Sequence, residues 1–183
     1  MNSLLLRLLP WCRAIDRLGD AVAWIAAVCV LAACLISAGN AVVRYAFDIS
    51  SNAWLEIQWY LFAVTVMLGA AHVLRRNEHV RVDILYARLA PRTQLVVDLL
   101  GLLFFLLPVM LLLLWLSWPL FVRALVSGEV SSNAGGLLRW PVLCTLPLGF
   151  LLVSLQALAE IVRRLAALRG LAAPGGPYER PLQ

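Results

Sequence analysis

The spacing of charged residues leaves this chain little choice of fold. Four long stretches carry no charge: 23 residues between Asp20 and Arg44, 18 between Glu56 and Arg75, 24 between Asp98 and Arg123, and 20 between Arg139 and Glu160. A bilayer core about 30 Å thick is crossed by about 20 apolar residues in helical form, because in lipid every backbone N–H and C=O must find its partner within the segment. Composition agrees with that reading. With 63% hydrophobic residues, 14% charged residues and a mean hydropathy of +0.89, a water-soluble fold of 183 residues could not cover its apolar surface. The expected fold is all-α and integral to the membrane, with four transmembrane helices at about 21–43, 54–75, 97–122 and 140–160 forming one domain over residues 1–170. The remaining residues, 171–183, hold three prolines and read as a disordered tail.

The net charge of +5 invites a nucleic-acid reading, which the placement of the arginines removes. The chain has 15 arginines and no lysine. Arg7, Arg13 and Arg17 precede the first span, Arg75, Arg76, Arg81, Arg88 and Arg92 lie between the second and third, and Arg163, Arg164, Arg169 and Arg180 follow the fourth. Only Arg44, Arg123 and Arg139 fall in the two alternate loops. Twelve against three is the bias that orients membrane helices, and it predicts that both termini face the cytoplasm. Leu31-Ala-Ala-Cys34 resembles a lipoprotein cleavage box. The apolar run continues past Cys34, however, and two acidic residues precede it, so the first span is expected to remain uncleaved.

Local patterns refine the four spans. Residues 10–20 read as a short interfacial amphipathic helix opened by Pro10, with Arg13, Asp16, Arg17 and Asp20 on one face and Trp11, Ile15 and Leu18 opposite, or as a plain cytoplasmic extension of the first span. Asn52 is placed to cap the second span, and Trp54, Trp59 and Tyr60 form an aromatic girdle at its outer end. Gly69, Ala70 and Ala71 permit close helix approach. Pro108 and Pro147 fall inside spans, where each frees a backbone carbonyl and calls for a packing neighbour. The loop 124–138 is rich in Ser and Gly. Residues 79–83 form no simple amphipathic surface either as helix or as strand.

Several chemistries common in small four-span proteins find no residues here. A thiol oxidase needs paired cysteines at the outer face, whereas Cys12 precedes the first span, Cys29 and Cys34 lie within it, and Cys144 lies within the fourth. A bis-histidine haem needs ligands from two helices, but His72 and His79 belong to one region. A carrier marks its pathway with ionisable groups near mid-membrane, and none falls there. Asp98 reads as interfacial with an arginine partner, and Gln156 lies near the cytoplasmic end. No phosphate loop, metal-spaced cluster or nucleophile with a base is present. The residues therefore point to a packing subunit that is not an enzyme, holds no cofactor and works through a partner. The alternatives are a stand-alone channel or carrier, and a membrane redox subunit.

A family resemblance gives that partner an identity. Asn40-Ala-Val-Val-Arg44-Tyr45, Asn52-Ala-Trp-Leu-Glu56-Ile-Gln58-Trp59-Tyr60-Leu-Phe62, Leu68-Gly69-Ala70-Ala71 and Asn77-Glu78-His79-Val80-Arg81-Val82-Asp83 resemble the small membrane subunit of tripartite ATP-independent periplasmic (TRAP) transporters. The resemblance continues through Gly128-Glu129-Val-Ser131-Ser-Asn133-Ala-Gly135-Gly136, Arg139-Trp140-Pro141 and Leu146-Pro147-Leu-Gly149-Phe150. The Glu-Ile-Gln-Trp-Tyr and Asn-Ala-Gly-Gly forms are most similar to the branch labelled mannitol/chloroaromatic. Cys144 departs from the lysine that this branch tends to carry after Trp-Pro. The resemblance implies a multi-pass protein of a bacterial inner membrane and sodium-coupled uptake of a solute, commonly a carboxylate. Its implied partners are a large membrane subunit, a periplasmic solute-binding protein and membrane lipids. Arg44, Tyr45, Glu56, Trp59, His79, Arg81, Asp83, Trp140 and Pro147 are the expected contact residues toward the large subunit, with Arg44 and Glu56 of opposite charge at adjacent span ends.

Overall fold

The structure is a computed structural model and describes residues 2–49, 51–77, 86, 88–133 and 135–171. The expected cytoplasmic segment of His79, Arg81 and Asp83, and the tail 172–183, lie outside the described residues. Four helices are long and apolar enough to cross a membrane: α1 (Asn2–Phe47), α2 (Asn52–Arg76), α3 (Pro91–Ser127) and α4 (Trp140–Leu168). Among the described residues the architecture is all-α, with four helices able to span, as the charge spacing requires.

The helices overrun the spans that hydropathy marks. With 46 residues, α1 is about 69 Å long at 1.5 Å per residue, more than twice a bilayer core. Of the two readings of residues 10–20, the structure has the extension of the first span and not a separate helix: they are the first part of α1, and Pro10 lies inside that helix. Nothing between Trp11 and Asp20 breaks a helix, and Cys12 and Asp16 are drawn inward against α4. The buried positions of α1 are Leu5, Cys12, Gly19, Ala26 and Ala33, each seven residues from the next. A strict seven-residue repeat of mostly small side chains is the seam of two helices that wrap closely around each other.

Along that seam α2 runs antiparallel to α1. Gln58 Nε2 donates to Ala33 O at 3.3 Å, Thr65 Oγ1 approaches Ala26 O at the same distance, and a Cβ on Gly69 would lie 3.9 Å from that of Ala26. Helix α4 is the hub, since α1, α2 and α3 all pack on it. Gly149 sets the α4 to α2 spacing, because an added Cβ would fall 2.7 Å from Met67 O. Leu102 of α3 meets Ala157 and Ile161 of α4 in an apolar core.

Within α3, residues Leu102–Leu106 form a π-helical turn in which the Leu107 N–H reaches back to Leu102 O. Pro108 follows immediately. A proline has no N–H and its ring crowds the carbonyl four residues back, and the wider turn relieves both conditions. At the start of α2 the cap is Ser51 rather than Asn52, and no side chain caps it. Asn52 is already helical, which corrects the capping role expected of it.

Candidate functional site

The described charges gather mainly at the two ends of the bundle, and the ends are built differently. At the end holding Asp20 and Arg75, a chain of alternating charges joins all four helices. It begins on α3, where Asp98 accepts from Arg164 of α4 at 3.2 Å. Arg164 also pairs with Glu160 one turn earlier, and Glu160 pairs in turn with Arg163. Arg163 then grips Asp16 of α1 with two parallel bonds of 2.8 and 3.1 Å, the geometry that makes arginine a strong partner for carboxylate. From α2, Arg75 donates to Asp20 at 2.6 Å and to the Asp16 backbone carbonyl at 3.1 Å. His72 Nδ1 lies 3.1 Å from Asp20 Oδ1 at the edge of this chain.

The carboxylates of the chain and Arg164 differ in burial. Glu160, Asp98 and Arg164 are 10%, 14% and 16% exposed at the side chain, Asp16 is 19%, and Asp20 at the edge is 48%. Gln156, fully buried on α4, donates toward Asp16 at 3.2 Å and Glu160 at 3.3 Å, so one acceptor from α1 and one from α4 converge on the same amide. Cys12 reaches Ala159 O beside this cluster, a packing role. Asp98 has the arginine partner expected of it, and His72 is a helix-contact residue. Sequence reading missed Asp16, Asp20 and Glu160 as network members.

At the opposite end the organising element is a hairpin. Arg139 N–H donates to Glu129 O at 2.9 Å, Ser131 N–H donates to Leu137 O at 2.8 Å, and Glu129 and Arg139 also pair through their side chains. The hairpin lies on the start of α2. Gly135 is there because a Cβ would come within 2.6 Å of Ala53 Cα, while Gly136 has φ of +58°, which glycine adopts without strain. Tyr60 OH donates to Leu138 O at 3.0 Å.

Of the expected contact residues, Arg44, Tyr45 and Trp59 are exposed, Tyr45 almost completely, and Trp140 is half-buried. Pro147 is buried in α4. Glu56 is only 3% exposed, and its Oε2 has no hydrogen-bond partner among the described residues. It shares with Ala53 and Tyr60 the α2 face that meets the hairpin. Arg44 forms no ion pair among the described residues, so the two opposite charges at adjacent span ends are not joined.

The sequence profile of the tripartite ATP-independent periplasmic transporters, DctQ component, matches residues 33–167. Searches of curated proteins and of solved structures find no match. The profile covers 135 of 183 residues, from the last third of α1 through nearly all of α4, so Asp16 and Asp20 lie outside the matched region. DctQ is a transporter-component family and not an enzyme family. This multi-pass membrane chain belongs to the DctQ family, the small membrane component of TRAP transporters, which works with a large membrane subunit and a periplasmic binding protein.

Proposed function

We propose that the chain is the rigid small subunit of a sodium-coupled TRAP transporter for a carboxylate solute, seated in a bacterial inner membrane with both termini in the cytoplasm. The ion-pair chain from Asp98 to Asp20 carries this reading, because it joins all four helices at one end. An element that served as a moving transport site would need charged or polar groups near mid-membrane, where each costs about 2.5 to 3.5 kcal/mol and persists for use. Here the charges are spent on holding helices together. A fixed body of this kind widens the scaffold against which the large subunit's transport domain moves. Arg44, Tyr45, Trp59 and Trp140 remain the candidate contacts toward that subunit, with His79, Arg81 and Asp83 on the cytoplasmic side. Glu56 and Pro147 act from inside the chain.

The test is transport by the assembled complex in proteoliposomes. Alanine substitutions at Arg44, Trp59, His72 and Asp98 are expected to lower the maximal rate only in proportion to the loss of complex, with solute preference and sodium dependence unchanged. A variant that assembles normally yet alters either property would place part of the transport site in this chain. Solute flux through the purified chain alone would favour a stand-alone carrier.

A further inference from the structure

Within the stripe 13–20 the acidic and basic residues part company. Asp16 has both carboxylate oxygens on Arg163, and Asp20 is held by Arg75 and faces His72. Arg13 and Arg17 are exposed and have no ion pair or side-chain hydrogen bond among the described residues. They sit four residues apart on α1, about 6 Å along the axis, where two like charges repel unless an anion lies between them. The acids nearest in sequence are already engaged by other helices.

What lies beside those two arginines on the same face is apolar. At 100° per residue, Arg13, Arg17, Trp24, Val28, Leu31 and Leu35 fall within about 60° of one another. Trp24 is 71% exposed, Leu31 60% and Leu35 64%. This ridge lies opposite the seven-residue seam, so it faces away from α2 and α4. Asp20 is the last charge before the apolar run, which places Arg17 at the bilayer surface and Trp24 just within it. Helical side chains lean toward the N-terminus, so the indole covers part of the turn between Trp24 and Arg17.

We infer that this face of α1 is a binding strip for an anionic phospholipid, with its phosphate held by Arg13 and Arg17 and its acyl chain laid along Trp24, Val28, Leu31 and Leu35. The phosphate supplies the anion that the two guanidinium groups lack, and the bilayer supplies the apolar chain. Both arginines stand on a continuous helix, so their spacing is set before the lipid arrives. The strip does not depend on which side of the membrane this end faces.

The experiment uses the chain assembled with its large subunit in phosphatidylcholine nanodiscs, with a minority of acyl-brominated phosphatidylglycerol or acyl-brominated phosphatidylcholine. Bromine quenches tryptophan on contact, and a Trp24→Phe complex isolates the Trp24 signal. Brominated phosphatidylglycerol is expected to quench Trp24 more strongly, with the preference falling about fivefold in Arg17→Gln and further in Arg13→Gln/Arg17→Gln. Arg13→Lys/Arg17→Lys is expected to retain it, and inorganic phosphate is expected not to compete. Equal quenching by the two lipids, or a preference unchanged in Arg17→Gln, would overturn the inference. Absence of quenching by either lipid would also overturn it, by showing that protein covers the face.

Discussion

The two ends of the bundle use their charges in opposite ways. At the Asp20 end, acids and arginines from all four helices meet side chain to side chain and are mostly shielded from solvent. At the hairpin end, Arg44 stands alone among the described residues, Glu129 and Arg139 pair at the surface with both side chains 46% exposed, and Glu56 is buried without a partner for one oxygen. One end is fastened by electrostatics, the other by backbone shape. Glycines and a tyrosine hydroxyl seat the hairpin, and the ion pair there is an ornament of the loop. The lesson is that charge at a membrane boundary need not be anchoring: its value depends on whether neighbouring helices bring opposite charges to the same depth.

Substitutions sharpen the contrast. Arg163→Met should have the largest effect, because it removes the link between α1 and α4 and leaves the shielded Asp16 with only a longer contact to Arg75, while Glu160 keeps Arg164. Breaking one partner of a buried pair costs about 3 kcal/mol or more, and thermal unfolding of the purified chain should show it together with reduced recovery of the complex. A result within error of wild type would mean that the network is superficial. Gly149→Ala comes next, at about 1 to 3 kcal/mol, since its Cβ would press into the backbone of Met67. Retained stability there would show that α2 and α4 can separate freely. Tyr60→Phe, which removes one bond to the hairpin, should cost about 1 kcal/mol and loosen proteolytic protection of the loop 128–139. Arg139→Ala should cost least, about 0 to 1 kcal/mol, as expected of an exposed pair.

The charge spacing made the four spans legible, and with them the bundle ends. It also held more than was extracted from it. Asp20, Arg75, Asp98 and Glu160 each bound an uncharged stretch, on the same side of the membrane by the arginine rule. Residues that bound adjacent spans at one depth must be neighbours in a four-helix bundle, so the network was implicit in the gaps. What hid it was the amphipathic stripe 13–20, where equal spacing gave no sign that Asp16 and Asp20 would turn toward other helices and Arg13 and Arg17 would not. That choice is tertiary, made by Arg75 and Arg163. The hairpin contacts were legible only as a motif: Gly135-Gly136 was visible, but the close approach of Ala53 that requires Gly135 is a property of the folded chain. The burial of Glu56 was hidden for the same reason, because an acid at a span end reads as exposed until the packing around it is known.

The most direct test of the account is a pair of double-mutant cycles in one preparation, Asp16→Asn with Arg163→Met at the fastened end and Glu129→Gln with Arg139→Met at the hairpin end, read by reversible unfolding in detergent. Contacting residues in a shielded network couple by about 0.5 to 3 kcal/mol, and exposed pairs by about 0 to 1 kcal/mol. The account predicts coupling of more than about 1 kcal/mol between Asp16 and Arg163, and less than about half of that between Glu129 and Arg139. Equal couplings, or none between Asp16 and Arg163, would contradict the claim that one end of this subunit is locked by its charges.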